Sequence, residues 1–220
     1  MCEGAKRRAA ASAVASVEDG MVVGLGSGST AAAAICHIGA EGVDVVGVPT
    51  SYQAADVARD AGIPLRGMSD VDAIDLAIDG ADQVVDTTLI KGGGASHARE
   101  KVVAHAAERF FVVVDETKRA DVLSAPVPVE VVPFARRPVT EAIAALGGTA
   151  TVRAAERKSG PVITDNGNVV LDCQFDLIAD PDELALALAQ LPGVIDHGLF
   201  IDMADEIHVG TTDGVDIIRC

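Results

Sequence analysis

At 220 residues, with 49% hydrophobic side chains and only 3% aromatic ones, the chain is long enough to bury a core of Val, Ile, Leu and Ala, and too apolar to be disordered. Its formal net charge is −16: 33 acidic residues (22 Asp, 11 Glu) stand against 17 basic ones, of which 5 are Lys, and no basic stripe or aromatic-basic cluster speaks for a nucleic-acid partner. An acid-rich, Lys-poor surface over such a core points to a halophilic protein from a high-salt cytosol, where screening shortens self-repulsion; the plainer alternative is an ordinary acidic cytosolic enzyme.

The chain opens with Lys6-Arg7-Arg8 and an Ala-rich run. That run lacks Leu, Ile and Phe and passes into Glu18-Asp19-Gly20, so it reads as a first helix ended by glycine and not as an export signal. No apolar run reaches the roughly 18 residues of a membrane span. Strands and helices then alternate: strand 21–25, helix 29–38, strand 43–48, helix 51–61, strand 74–78, helix 95–109 and strand 110–114. Such alternation predicts a parallel sheet with helices on both faces, where ligands sit outside the carboxyl ends of the strands.

Pro126, Pro128, Pro133 and Pro138 mark a change. Beyond them the order reads strand 129–132, helix 139–146, strand 149–155, strand 168–173, helix 182–191 and strand 194–199, with Asn166-Gly167 as a hairpin turn. This is the pattern of a small ferredoxin-like α+β unit. Two closing strands, 206–209 and 215–218, finish the chain. The expected organisation is α/β: a parallel-sheet domain over 1–125 plus 200–220, and a smaller ferredoxin-like α+β domain over 126–199.

Three glycine-bearing segments carry polar chemistry. Gly24-Leu-Gly-Ser-Gly-Ser-Thr30 lies between a strand and a helix, where Ser27, Gly28, Ser29 and Thr30 offer backbone N–H and hydroxyl donors to an anion. It fits neither the dinucleotide fingerprint nor a Walker loop, which leaves a phosphate monoester, or simply a tight turn with a serine cap. Asp79-Gly80-Ala81-Asp82 puts two carboxylates at a strand end, suited to sharing protons or holding sugar hydroxyls, or to an ordinary Asp-Gly turn. Lys91-Gly92-Gly93-Gly94 places an ammonium beside three residues whose backbone cost is justified by a close ligand; otherwise it is a flexible loop with a solvated Lys. Glu100 falls on the second turn of the helix expected after those glycines, where most Glu side chains are solvated.

His97 and His105 are eight apart and do not make a zinc helix. The cysteines Cys2, Cys36, Cys173 and Cys220 show no metal or redox spacing, and a reduced cytoplasmic location fits them.

Gly-Ser-Gly-Ser-Thr (26–30), Asp-Gly-Ala-Asp (79–82), Lys-Gly-Gly-Gly-Ala (91–95) with Arg-Glu-Lys (99–101), Asp-Glu-Thr-Lys (115–118), Pro-Val-Glu-Val-Val-Pro (128–133) and Thr-Asp-Asn-Gly-Asn-Val (164–169) follow one another in register. Together they resemble the ribose-5-phosphate isomerases of the A type over nearly the whole chain. The resemblance implies a Rossmann-like domain beside the smaller one, and interconversion of D-ribose 5-phosphate and D-ribulose 5-phosphate through an enediolate in the non-oxidative pentose phosphate pathway. It implies no cofactor and no metal requirement, a homodimer or homotetramer, and a small-molecule sugar phosphate as partner, with no nucleic acid and no membrane. By the same resemblance Glu100 is the proton-transferring base. Asp79, Asp82 and Lys91 handle the sugar oxygens and ring opening, while Ser27 to Thr30 and Lys118, with Lys6 as a possible addition, hold substrate and phosphate. One departure is Ser27, where the family usually has Thr. A sugar-phosphate sensor of related fold has no reason to keep Glu100, Lys91 and both Asp residues; an amino-sugar phosphate deaminase is the rival among enzymes.

Overall fold

The computed structural model describes residues 2–220. The chain divides into two compact units: Met1–Ala81, Arg99–Arg119 and Asp202–Cys220 form the first, and Asp82–Ala98 with Ala120–Ile201 the second.

The first unit is a Rossmann-like sheet. Its strands are β1 (Val22–Leu25), β2 (Val46–Pro49), β3 (Leu76–Asp79), β6 (Phe110–Asp115), β12 (Glu206–Gly210) and β13 (Val215–Arg219). They lie in the order β13-β12-β6-β3-β1-β2, parallel except for β13. All six residues of β6 and all four of β3 are buried, as expected for central parallel strands covered on both faces. The helices are α1 (Cys2–Val14), α2 (Ser29–Glu41), α3 (Tyr52–Asp60) and α4 (His97–Ala106), the last of which begins in the second unit's segment. Ala9, Ala13, Ile35 and Ile38 of α1 and α2 pack on Val23, Leu25, Ile78 and Val113. Small alanines suit close helix packing where the chain has few aromatics. Strand order reverses at β1, with β2 on one side and β3 on the other, and parallel sheets of this kind take their ligands outside the carboxyl ends at such a reversal.

The second unit carries β7 (Val127–Val131), α5 (Arg136–Ala145), β8 (Thr149–Val152), β9 (Val169–Gln174), α6 (Pro181–Ala189) and β10 (Val194–His197). The antiparallel order β10-β7-β9-β8 is ferredoxin-like. A separate three-stranded sheet, β11-β5-β4, joins Leu199–Phe200 (β11) to the hairpin of β4 (Gln83–Val85) and β5 (Thr88–Ile90). Ile90 and Leu199 reach the same core as Val129, Ile143 and Leu171, which is why residues 82–98 belong to this unit.

Five details depart from the sequence reading: the first helix ends at Val14 and not at Gly20, residues 82–98 fall in the second unit and not in the parallel-sheet domain because their hairpin joins the second core, and three more concern the elements themselves. The expected strand 194–199 is two strands, β10 on β7 and β11 on β5, with a change of sheet at Gly198. The expected helix 95–109 starts two residues later, at His97, because Ala95 takes a left-handed φ of 62° and closes a turn onto the Gly92 carbonyl. The β4–β5 hairpin was not anticipated, since three-residue strands around Asp86-Thr87 are too short to show a period.

Candidate active site

In the first unit the site residues gather at the β1 and β3 carboxyl ends. β3 ends in Asp79, only 3% exposed. Its Oδ1 accepts the N–H of Ser27 at 3.0 Å and of Gly80 at 2.7 Å. Gly26 makes this approach possible: a Cβ there would lie 2.1 Å from Asp79 Oδ1. Ser27 Oγ sits 2.9 Å from Thr50 Oγ1 and donates to Ser51 Oγ at 2.6 Å, so its hydroxyl fastens the loop to the start of α3, which Ser51 caps. Gly28 N–H donates to Gln53 at 3.0 Å.

α2 then opens at Ser29, and a helix's first N–H groups have no acceptor within it, so Ser29 and Thr30 stand at an anion-friendly end. Lys6 of α1 donates to Ser29 Oγ at 2.9 Å, bringing an ammonium to the same loop. Glu100 lies in the first turn of α4, 5% exposed, one turn earlier than the sequence suggested because the helix starts late. Lys118 ends the 3-10 turn Glu116–Lys118 and is half-buried; Asp115 Oδ1 caps that turn by accepting Thr117 N–H at 3.0 Å.

In the second unit Lys91 follows β5 and is 2% exposed, the largest fully buried side chain in the molecule's described residues. It is not a solvated loop lysine. Its Nζ lies 5.3 Å from the centroid of the Phe200 ring, a buried cation-π arrangement. Its N–H donates to the Gly198 carbonyl at 2.8 Å, and the Gly198 N–H donates to Pro128 at 2.7 Å. A Cβ at Gly198 would sit 2.2 Å from the Lys91 carbonyl oxygen, so only glycine lets β10 hand over to β11 here. Asp82, half-buried, accepts Gly93 N–H at 2.7 Å on Oδ2, tying the glycine loop to the second carboxylate of the Asp-Gly-Ala-Asp segment.

The sequence reading missed Thr50, Ser51, Gln53, Gly198 and Phe200. Only Ser51 left a local sign, as a cap before a helix. His97, read there as an ordinary helix residue, is fully buried at the start of α4. Among the described residues no group of three or more His, Cys, Asp or Glu side chains could hold a metal ion, and no helix is long and apolar enough to cross a membrane.

The first unit thus offers buried carboxylates and a hydroxyl-rich helix start, and the second a buried ammonium; each is a kind of group used in acid-base work on small phosphorylated molecules. The family model for ribose 5-phosphate isomerase A (phosphoriboisomerase A) matches residues 46–214. A ribose-5-phosphate isomerase A from the halophilic archaeon Haloarcula marismortui is 62% identical over 218 residues, spanning 98% of this chain and 95% of its own. The solved ribose 5-phosphate isomerase A of Methanocaldococcus jannaschii has a TM-score of 0.95 at 43% identity, with 99% of each chain covered. A D-ribose-5-phosphate isomerase solved in complex with phospho-erythronic acid has a TM-score of 0.97 at 43% identity, with 100% of each chain covered. By sequence and by fold, the chain belongs to the ribose 5-phosphate isomerase A family.

Proposed function

We propose that the protein interconverts D-ribose 5-phosphate and D-ribulose 5-phosphate, with Glu100 as the base. In the open-chain aldose, the Glu100 carboxylate takes the C2 proton. The electron pair left behind forms the C1–C2 double bond, and negative charge collects on O1. The result is a planar enediolate. Glu100 returns its proton to C1 while the proton on O2 is lost and the C2–O2 carbonyl forms; O1 ends protonated. Atoms and charge balance without a hydride acceptor, so the scheme needs no redox cofactor, and it calls on no metal.

Lys91 and Asp82 are the groups we assign to O1 and O2, and Asp79 to the hydroxyls that exchange protons when the sugar ring opens. A buried ammonium stabilises an oxyanion far better than a solvated one, since water does not compete for it. Ser29, Thr30, the Gly28 backbone and Lys118 are assigned to the substrate and its phosphate. Lys6, already 2.9 Å from Ser29 Oγ, joins them. The Ser27 hydroxyl shapes the loop through Thr50 and Ser51, and its N–H orients Asp79. Gly80, Ala81, Gly92, Gly93 and Gly94 supply close backbone.

The observation that carries this reading is the burial of Lys91 beside a glycine loop in a chain of this family. The likeness to an isomerase holding phospho-erythronic acid supports it, since the planar, anionic carboxylate of that acid stands in for a planar enediolate on a chain that also carries a phosphate. We assign the protein to the cytoplasm and to a homodimer or homotetramer. The free thiols Cys36, Cys173 and Cys220 suit a reducing compartment, and burial, with Asp172 adding to it, pushes the Cys173 thiol up to about 12. The test is direct. Chelated and dialysed protein is mixed with ribose 5-phosphate and ketose is followed; absence of turnover, or turnover that only a divalent metal restores, overturns the scheme.

A further inference from the structure

The scheme above leaves out a cation of the second unit that touches the glycine loop. Arg153 directly follows β8, and Asp172 lies on β9, where it pairs with Thr151. Residues two apart on a strand share a face, so Arg153 and Asp172 meet diagonally across the ladder. Arg153 Nε donates to the two Asp172 oxygens at 3.2 and 3.0 Å, and Nη2 completes the pair. The two side chains are 17% and 32% exposed. The remaining edge of the guanidinium faces the loop. Nη1 donates to the carbonyl oxygens of Gly92 at 2.8 Å and Gly93 at 3.0 Å.

We infer that Arg153, aligned by Asp172, is a positioning residue that fixes the Lys91–Gly94 loop and, through it, the reactive groups Lys91 and Asp82. The inference rests on the isomerase reading of those two groups. Three consecutive glycines have no side chains to anchor them and the widest backbone freedom of any residues. The Gly92 carbonyl also takes the Ala95 N–H within the loop, and the rest of the loop's aim is set from outside. With both carbonyls drawn to Arg153, the Gly93 N–H lies 2.7 Å from Asp82 Oδ2, and the loop's other end is held where Lys91 N–H meets Gly198. A guanidinium suits the task because its planar fork serves a carboxylate on one edge and two carbonyls on the other; an ammonium is a point charge without that edge. Loosening the loop leaves Lys91 and Asp82 chemically intact but badly placed.

The test uses the full chain with Arg153→Ala and Arg153→Lys. The expected result has two parts. Amide exchange at Gly93 becomes about ten- to hundredfold faster, the scale of one charge-assisted hydrogen bond, while amides in β6 keep wild-type rates. The turnover number falls about ten- to hundredfold, the scale of a misplaced catalytic group, and KM changes by less than about threefold. Methylguanidinium restores part of the turnover of Arg153→Ala and none of Arg153→Lys. Wild-type exchange at Gly93, or wild-type turnover, in a folded variant overturns the inference. Should Arg153→Ala not fold, Arg153→Lys carries both measurements. A wild-type protein without activity on ribose 5-phosphate overturns the isomerase reading instead, and the exchange rates then still decide whether Arg153 holds the loop.

Discussion

Asp79 in the first unit and Glu130 in the second are both buried acids, 3% and 0% exposed, yet they are held in opposite ways. Glu130, on β7, accepts from side chains: Thr164 Oγ1 at 2.9 Å, Asn166 Nδ2 at 3.0 Å and Asn168 Nδ2 at 2.7 Å. All three donors come from the Asn-Gly hairpin, so the acid clamps that turn to the sheet. Asp79 instead takes two backbone N–H groups on one oxygen, from loops at the carboxyl ends of β1 and β3. Burial of a charge is costly in either case and demands donors. The origin of the donors separates the roles. A hairpin's side chains lock structure, whereas amides at strand carboxyl ends hold a carboxylate in the region where parallel sheets take ligands.

Several substitutions can break this comparison, and the largest effect belongs to a third buried acid. Glu100→Gln keeps size and hydrogen bonding but loses basicity. We expect turnover to fall about a hundred- to ten-thousand-fold with a much smaller change in KM. Steady-state kinetics on ribose 5-phosphate check it, and near-normal turnover removes Glu100 from the mechanism.

Gly26→Ala attacks Asp79 without touching its charge. The new methyl group would stand 2.1 Å from Oδ1, so the carboxylate must shift. A misplacement of about 1 Å costs about a hundredfold in rate. Turnover should drop to that extent while the protein stays folded by circular dichroism. Unchanged kinetics would mean that the aim of Asp79 does not matter.

Glu130→Ala should do the reverse. It strands hairpin donors, at about 1–3 kcal/mol, which lowers the melting temperature by about 2–10 °C in a chain of this size. Turnover of the folded protein should stay within about threefold of wild type, the scatter of an indirect effect. Calorimetry paired with kinetics decides; a large loss of turnover without loss of stability would place Glu130 with the reactive acids.

The smallest effect concerns the surface and should spare both buried acids. With a net charge of −16, self-repulsion is long-ranged in dilute buffer. The Debye length falls from about 10 Å at 0.1 M to about 3 Å at 1 M salt. The melting temperature should therefore rise by a few degrees or more between about 0.1 and 1 M KCl. Melts in a KCl series that stay flat or fall would remove the halophilic reading and leave the isomerase assignment intact.

Much of the candidate site was legible locally. The three glycine segments stood out because glycine marks close backbone wherever it clusters, and strand-helix alternation put the loop after Leu25 and the segment from Asp79 at strand ends. The Asn166-Gly167 turn was readable for the same local reason, with Gly167 at φ 84°. Glu100 was different. Nothing in its neighbourhood distinguishes it from a solvated helical Glu, and only the resemblance singled it out. The late start of α4 was hidden too, because it depends on Ala95 adopting a conformation that alanine seldom takes.

The sequence by itself determined the alternation of elements, the ferredoxin-like strand and helix order, the places where backbone can approach a ligand, and the acidic surface. These follow from composition and from periods of a few residues. Tertiary structure alone decided that Lys91 is buried over Phe200, that its backbone pairs with Gly198, and that Arg153 grips Gly92 from 61 residues away. It also decided that residues 82–98 build the second unit, by pairing β5 with β11. The reason is common to all four. Each depends on which segments become neighbours across long stretches of chain, and that choice is made by the whole core burying itself at once, not by any window of residues.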